Sequence, residues 1–151
     1  WPNNLIVKGV TSFSDAQKIQ KLGIDAIYVS NHGGRQLDSV PAAIDILPHI
    51  RRAVGPDYPL IMDSGVRSGE DILKAFVLGA NLVMLGRPIM FALGAGGANG
   101  LNSLIEGLKY DLSTGMAQIG LKDISDAGPD NLAKTDMVLP YASPERLGLN
   151  R

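Results

Sequence analysis

The sequence predicts an α/β fold on a parallel sheet, and within that class a (β/α)8 TIM barrel of which this chain supplies about half. Three observations predict it. Four short apolar runs are separated by segments with helical spacing. Within each run the apolar residues are contiguous, as in strands covered on both faces. The pattern also repeats: Gly9-Val10, Ser12, Asp15 and Leu22-Gly23 recur 56 positions on as Gly65-Val66, Ser68, Asp71 and Leu78-Gly79. An alternating β-α order calls for right-handed crossovers and a parallel sheet. A doubly wound sheet is the alternative, but it gives less reason for two equivalent units.

The first strand is Leu5-Ile6-Val7, ending at Lys8. Ser12-Phe13-Ser14-Asp15 then fits the S-x-x-D start signal, in which a serine oxygen caps free backbone N–H groups. Ala16, Ile19 and Leu22 form the apolar face of that helix, and Gly23 sits where a left-handed C-terminal cap is wanted. Ala26-Ile27-Tyr28-Val29 is the second strand, followed by a helix on Ile44, Leu47, Ile50 and Val54. Leu60-Ile61-Met62 is the third. Ser68-Gly69-Glu70-Asp71 starts its helix, Ile72, Leu73, Phe76 and Val77 form the apolar face, and Gly79 stops it. Leu82-Val83-Met84-Leu85 is the fourth strand.

Past a short helix, Gly94 to Gly100 lacks the Lys-Ser/Thr of a phosphate loop and reads as a flexible helix–helix connection. Leu101, Leu104, Ile105, Leu108, Leu112 and Met116 follow one face of a long amphipathic helix. From Gly128-Pro129 onward periodicity is lost. Residues 1–128 therefore read as the half-barrel and 129–151 as a surface tail. A complete barrel takes about 250 residues, and an arc of four strands leaves two edges unpaired. The expected partner is a missing N-terminal half or a second copy, so a homo-oligomer is expected. Residue 1 is Trp rather than Met, which suggests a piece of something longer.

Composition narrows the function classes. With 14 Lys+Arg against 15 Asp+Glu the formal charge is −1, so no basic field marks a nucleic-acid partner. The absence of cysteine excludes disulfides and thiolate metal sites, and no metal is expected. No apolar run reaches the 18 residues of a membrane span, and no signal peptide opens the chain. A cytoplasmic protein is expected.

In such folds reactive residues lie where strands end and loops begin. Lys8 lies beside a buried strand and needs an anionic partner or an exit to solvent. The second strand runs into Ser30-Asn31-His32-Gly33-Gly34-Arg35-Gln36-Leu37-Asp38. There an imidazole, whose proton affinity suits neutral pH, stands near a guanidinium fork that can grip a carboxylate at two points. That combination suits proton removal from a carboxylic acid substrate. The third and fourth strands end in Asp63-Ser64-Gly65-Val66-Arg67 and Gly86-Arg87, each before a helix. Free N–H groups at a helix start, glycine for close approach and an arginine make a phosphate site. His49, Arg51 and Arg52 read as a solvated helix face, and Trp1, Tyr58 and Tyr110 as packing residues.

Val7-Lys8-Gly9, the run Ser30 to Asp38, Asp63 to Gly69 and Leu85-Gly86-Arg87-Pro88 resemble the FMN-dependent 2-hydroxy-acid oxidase/dehydrogenase family. L-lactate dehydrogenases, glycolate oxidase and mandelate dehydrogenase belong to that family. The resemblance covers about residues 1–130 and matches strands five to eight of the family's barrel. It implies FMN as cofactor and a small 2-hydroxy acid as substrate, oxidised to the 2-oxo acid. By that resemblance Lys8 would lie by the flavin N1/O2 edge, with Ser30 also against the flavin. His32 would be the base and also contact the flavin, and Arg35 would bind the substrate carboxylate. Asp63, Ser64, Gly65, Val66 and Arg67 would hold the ribityl chain and phosphate, with Gly86 and Arg87 completing the phosphate site and Gly33 near the flavin. The family's substrate-contacting tyrosines, its base-orienting aspartate and any membrane-anchoring insert would belong to the first half. Two other readings compete: a non-catalytic half-barrel that binds flavin or phosphate, and a phosphate-binding barrel enzyme such as an isomerase. The second leaves His32 and Arg35 unexplained.

Overall fold

A computed structural model describes residues 1–132, and the tail expected from 129 lies outside the described residues beyond 132. The elements follow the predicted alternation: β1 (Ile6–Val10), α1 (Phe13–Lys21), β2 (Ala26–Val29), α2 (Ala43–Val54), β3 (Leu60–Met62), α3 (Gly69–Val77), β4 (Leu82–Val83) and α4 (Arg87–Gln118). The four strands are parallel, in the order β1-β2-β3-β4. Both predicted start signals work: the Ser12 and Ser68 side chains accept from Asp15 N and Asp71 N. At α3 the Asp71 carboxylate also reaches back to the Ser68 N–H, closing a reciprocal cap.

Strand register decides which residues form the core. Ile27 lies opposite Val7 and Leu60, and Met62 opposite Val29 and Val83, so these share the face turned toward the helices. There they meet Ala16, Ala43, Leu47, Ile50, Val54 and Ala75. Ile27, Leu47, Ile50 and Leu60 are fully buried, each contributing about 1.5–3 kcal/mol.

On the opposite face Lys8, Tyr28, Ile61 and Leu82 lie side by side. Contiguous apolar runs predicted cover on both faces. Within the described residues the outer strands have it on one only: Ile6 is 48 % exposed, Leu82 49 % and Met84 44 %. The runs do extend to that second face, where Tyr28 and Ile61 on the inner strands are half-buried.

Other expectations need correction. β1 runs past Lys8 to Val10, with a bulge between Lys8 and Val10, so Lys8 sits within the strand and not after it. The Gly94–Gly100 connection shrinks to a two-residue break in α4, at Gly96 (φ −149°, ψ 18°) and Gly97 (φ 55°, ψ −140°). The chain folds back there so tightly that a Cβ on Gly100 would collide with the Ala92 carbonyl. Arg51 is no solvated residue. Its guanidinium donates to the carbonyls of Gly55, Pro56, Tyr58 and Gly79 and to Asn81 Oδ1, at 2.6–3.0 Å. Arg52 does stay on the exposed face, 3.0 Å from His49 Nδ1. Tyr58 packs against the core and donates to the Ile24 carbonyl, whereas Trp1 and Tyr110 are exposed.

Candidate active site at the carboxyl ends of the strands

Loops leaving β2, β3 and β4, with Lys8 from within β1, converge on a cavity of about 450 Å³, a size typical of small-molecule sites. It is lined by Lys8 from β1, His32, Gly33 and Arg35 after β2, Asp63 to Arg67 after β3, and Gly86 and Arg87 after β4. Every sequence-predicted site residue but Ser30 therefore lines one space, and His32, Arg67 and Arg87 open onto the same rim. Ser30 lies fully buried beneath it. Gln36, Met84, Pro88 and Met90 complete the wall. Gln36 and Pro88 stand inside the motifs after β2 and β4 without a role given to them, and Met84 and Met90 read as apolar packing residues that carry no signal of chemistry.

Ser30 ties the floor together. Its hydroxyl accepts from Lys8 Nζ (2.8 Å) and from the His32 backbone N–H (3.1 Å). His32 takes a left-handed backbone conformation (φ 57°), uncommon outside glycine, and its ring lies over Gly9. A Cβ at Gly9 would stand 2.6 Å from His32 Cε1, and Gly9 itself has φ +91°. Only glycine meets both demands, so the bulge in β1 and the imidazole seat are one feature. Ser64 also has positive φ (77°). Its hydroxyl accepts from Gly33 N (3.2 Å) and donates to Asp63 Oδ1 (2.8 Å), tying the β2 and β3 loops together.

Asp63 is the charge centre of the floor. Its Oδ2 accepts from Lys8 Nζ and from the Tyr28 hydroxyl, both at 3.0 Å. Burial pushes its carboxyl up, but the donors around it, Ser30, Lys8, Ser64 and Tyr28, outweigh that and hold it below its ordinary value of 3.8. The folded carboxyl is thus more acidic than the unfolded one, so between the two values the unfolded chain binds more protons and stability rises with pH. Stability from Asp63 should be fully present above about pH 4 and drain away on further acidification. Urea melts from pH 6 to pH 3 would show it, and Asp63→Asn should flatten the acid limb. An unchanged limb would remove Asp63 from this role.

The two helix starts next to the arginines differ. At α3 the backbone N–H groups of Arg67 and Ser68 donate to Asp71 Oδ2, Asp71 N to Ser68 Oγ and Gly69 N to Asp111 Oδ2. Free N–H groups were expected there. Instead two protein carboxylates and the Ser68 hydroxyl occupy them, and Asp111 comes from α4, beyond the reach of local pattern. Among the described residues no side chain caps the start of α4, which follows Gly86 (φ −106°, ψ −88°) with proline at its first turn. That start has open donors and the positive end of a helix dipole. Arg87 stands beside it, its Nη2 donating to the Gly33 carbonyl (3.1 Å). Arg35, Arg67 and Arg87 make no ion pair among the described residues.

Fold and cavity together define a parallel α/β protein whose cavity, at the carboxyl ends of its strands, is lined by Lys8, Arg35, Arg67 and Arg87 with Asp63. The sequence profile of the FMN-dependent dehydrogenases matches residues 1–134, and the chain belongs to that family. A 2-hydroxyacid oxidase of Dictyostelium discoideum is 45 % identical over 122 residues, 81 % of this chain and 31 % of that protein. An L-lactate oxidase of Lentilactobacillus hilgardii is 47 % identical over 81 % of this chain and 33 % of its own. A soluble mutant of the membrane-associated (S)-mandelate dehydrogenase of Pseudomonas putida superposes with a TM-score of 0.84 at 41 % identity, covering 89 % of this chain and 38 % of that one. The chain thus spans about a third of the length of these relatives. Among its described residues no helix is long and apolar enough to cross a membrane.

Proposed function

We propose that this chain supplies the FMN phosphate site, the base and the carboxylate clamp of an enzyme that oxidises an (S)-2-hydroxy acid of the lactate, glycolate or mandelate type to the 2-oxo acid. One observation carries the reading: His32, Arg35, Lys8, Arg67 and Arg87 face a single cavity in a member of the FMN-dependent dehydrogenase family. The donor set fits the cofactor. The open start of α4 with Gly86, Arg87 and Arg67 suits a phosphate dianion, Asp63 and Ser64 suit ribityl hydroxyls, and Lys8 suits an electron-rich ring edge.

FMN, when bound, supplies the two-electron acceptor. The chain's own residues do the rest. Arg35 grips the substrate carboxylate at two points and fixes its orientation, an effect worth several kcal/mol when the reacting atoms are brought into line. His32 takes the proton that leaves the substrate. Lys8, fixed on Ser30 and Asp63, presents positive charge where negative charge develops. Gly33 and Gly65 with Val66 let a flat ligand approach the backbone.

The uncovered face bearing Ile6, Leu82 and Met84, together with the one-third coverage of the relatives, supports reading residues 1–128 as strands five to eight of a (β/α)8 barrel, with 129–151 as its tail. An N-terminal half, or a second copy, would cover that face. The same observations support one competitor, a half-barrel that holds flavin or phosphate without turnover.

The test is an FMN titration followed by anaerobic addition of (S)-lactate or (S)-mandelate, on the chain alone and on the chain joined to the N-terminal segment of a relative. Bleaching of a yellow complex is the expected result. A yellow protein that no 2-hydroxy acid bleaches would favour the non-catalytic reading, and a colourless one would defeat both.

A further inference from the structure

We propose that Tyr28 is a positioning residue that locks the Lys8 ammonium in the site, its ring carrying the cation and its hydroxyl holding the carboxylate to which that cation is paired. Tyr28 lies in the middle of β2, directly opposite Lys8 on β1. Lys8 Nζ stands 4.3 Å from the centre of its ring. The Tyr28 hydroxyl donates to Asp63 Oδ2 at 3.0 Å, the same oxygen that receives Lys8 Nζ at 3.0 Å. Ser30 Oγ supplies the remaining contact at 2.8 Å.

Lysine on its four-carbon stem is otherwise a mobile point charge, and the Lys8 side chain is 42 % exposed. Here a ring face, a carboxylate and a hydroxyl surround the ammonium from three directions. The cross-strand neighbour of Tyr28 on its other side is Ile61 of β3, against which an aliphatic residue would pack as well. The phenol is therefore explained by its polar partners rather than by shape. Burial, then the hydrogen bond to Asp63 and its charge, push the phenol's pKa up, so it remains a donor at neutral pH. The consequence for a flavin rests on the proposed function, whereas the contacts do not.

Competitive acetylation of the full 151-residue chain, read lysine by lysine by peptide mass spectrometry, tests the lock. Tyr28→Phe removes the hydroxyl and keeps the ring and the shape; Tyr28→Leu removes both. Lys8 should acetylate about threefold faster in the first and about tenfold faster in the second, the size expected for losing a hydrogen bond and then a cation–π contact. Lys18 and Lys74, on the exposed faces of α1 and α3, serve as internal standards and should not change. An unaltered Lys8 rate in Tyr28→Phe and Tyr28→Leu would overturn the proposal. In FMN-loaded protein both variants should also lower the flavin midpoint potential, Leu more than Phe, since a less fixed cation stabilises the reduced ring less. A wild-type chain that takes up no FMN would sink the flavin reading while the acetylation ratio still decided the role of Tyr28.

Discussion

Replacing His32 with alanine is expected to slow substrate-driven flavin reduction by about 10²–10⁴-fold, the weight of a positioned general base, while FMN retention changes far less. The two effects separate because the groups assigned to the phosphate, Arg67 and Arg87, sit on other loops from the imidazole. The ring's seat also argues for a dedicated role. A backbone at φ 57° costs of order 1 kcal/mol or more for a non-glycine residue, and Ser30 Oγ on one side and Gly9 beneath the ring hold it there. Stopped-flow reduction with (S)-lactate or (S)-mandelate makes the measurement. Added imidazole should restore part of the lost rate, which a purely structural histidine would not allow. A His32→Ala protein reduced at the wild-type rate would end the assignment.

Replacing Arg51 with alanine should cost the fold about 3–5 kcal/mol, the range for breaking a partly buried charged network. A single guanidinium bonds four carbonyls and one side-chain amide across the end of α2, the approach to β3 and the turn before β4. Removing it leaves half-buried carbonyls without donors, and each unmet group costs about 1–3 kcal/mol where water cannot take over. The melting temperature should fall by roughly 8–15 °C. Arg51→Lys would recover only part of this, because an ammonium cannot reproduce a planar fork with five donors. A melting point within about 2 °C of wild type would show that water replaces the fork.

Fold and site were legible where the cause is local. Ser12 and Ser68 announce their helices because a cap needs only a hydroxyl and a backbone three residues on. Apolar runs mark the strands because burial is the same demand at every position. The loops after β2, β3 and β4 stand out because chemistry-bearing residues cluster there, and the structure brings all three, with Lys8 of β1, to one cavity. What stayed hidden depends on distant partners. Asp111 fills the start of α3 from 42 positions away along the chain, and no local pattern foretells that. Arg51 reads as a surface cation until the carbonyls of Gly79 and Tyr58 fold around it. Tyr28 reads as one more apolar strand residue until register sets it opposite Lys8. The break at Gly96 and Gly97 was visible as glycine richness, but its sharpness depends on Gly100 meeting Ala92.

The bare sheet face governs how this chain behaves in a test tube. Ile6 and Leu82 present oily side chains on β1 and β4, whose outer backbone groups have no neighbouring strand among the described residues. Such a surface is sticky, so light scattering at rising protein concentration should reveal growing particle mass before any spectrum is interpreted. Lysine in place of Leu82 would keep the solution clear, and would also tell a chemist which rim of the sheet its neighbours reach for first.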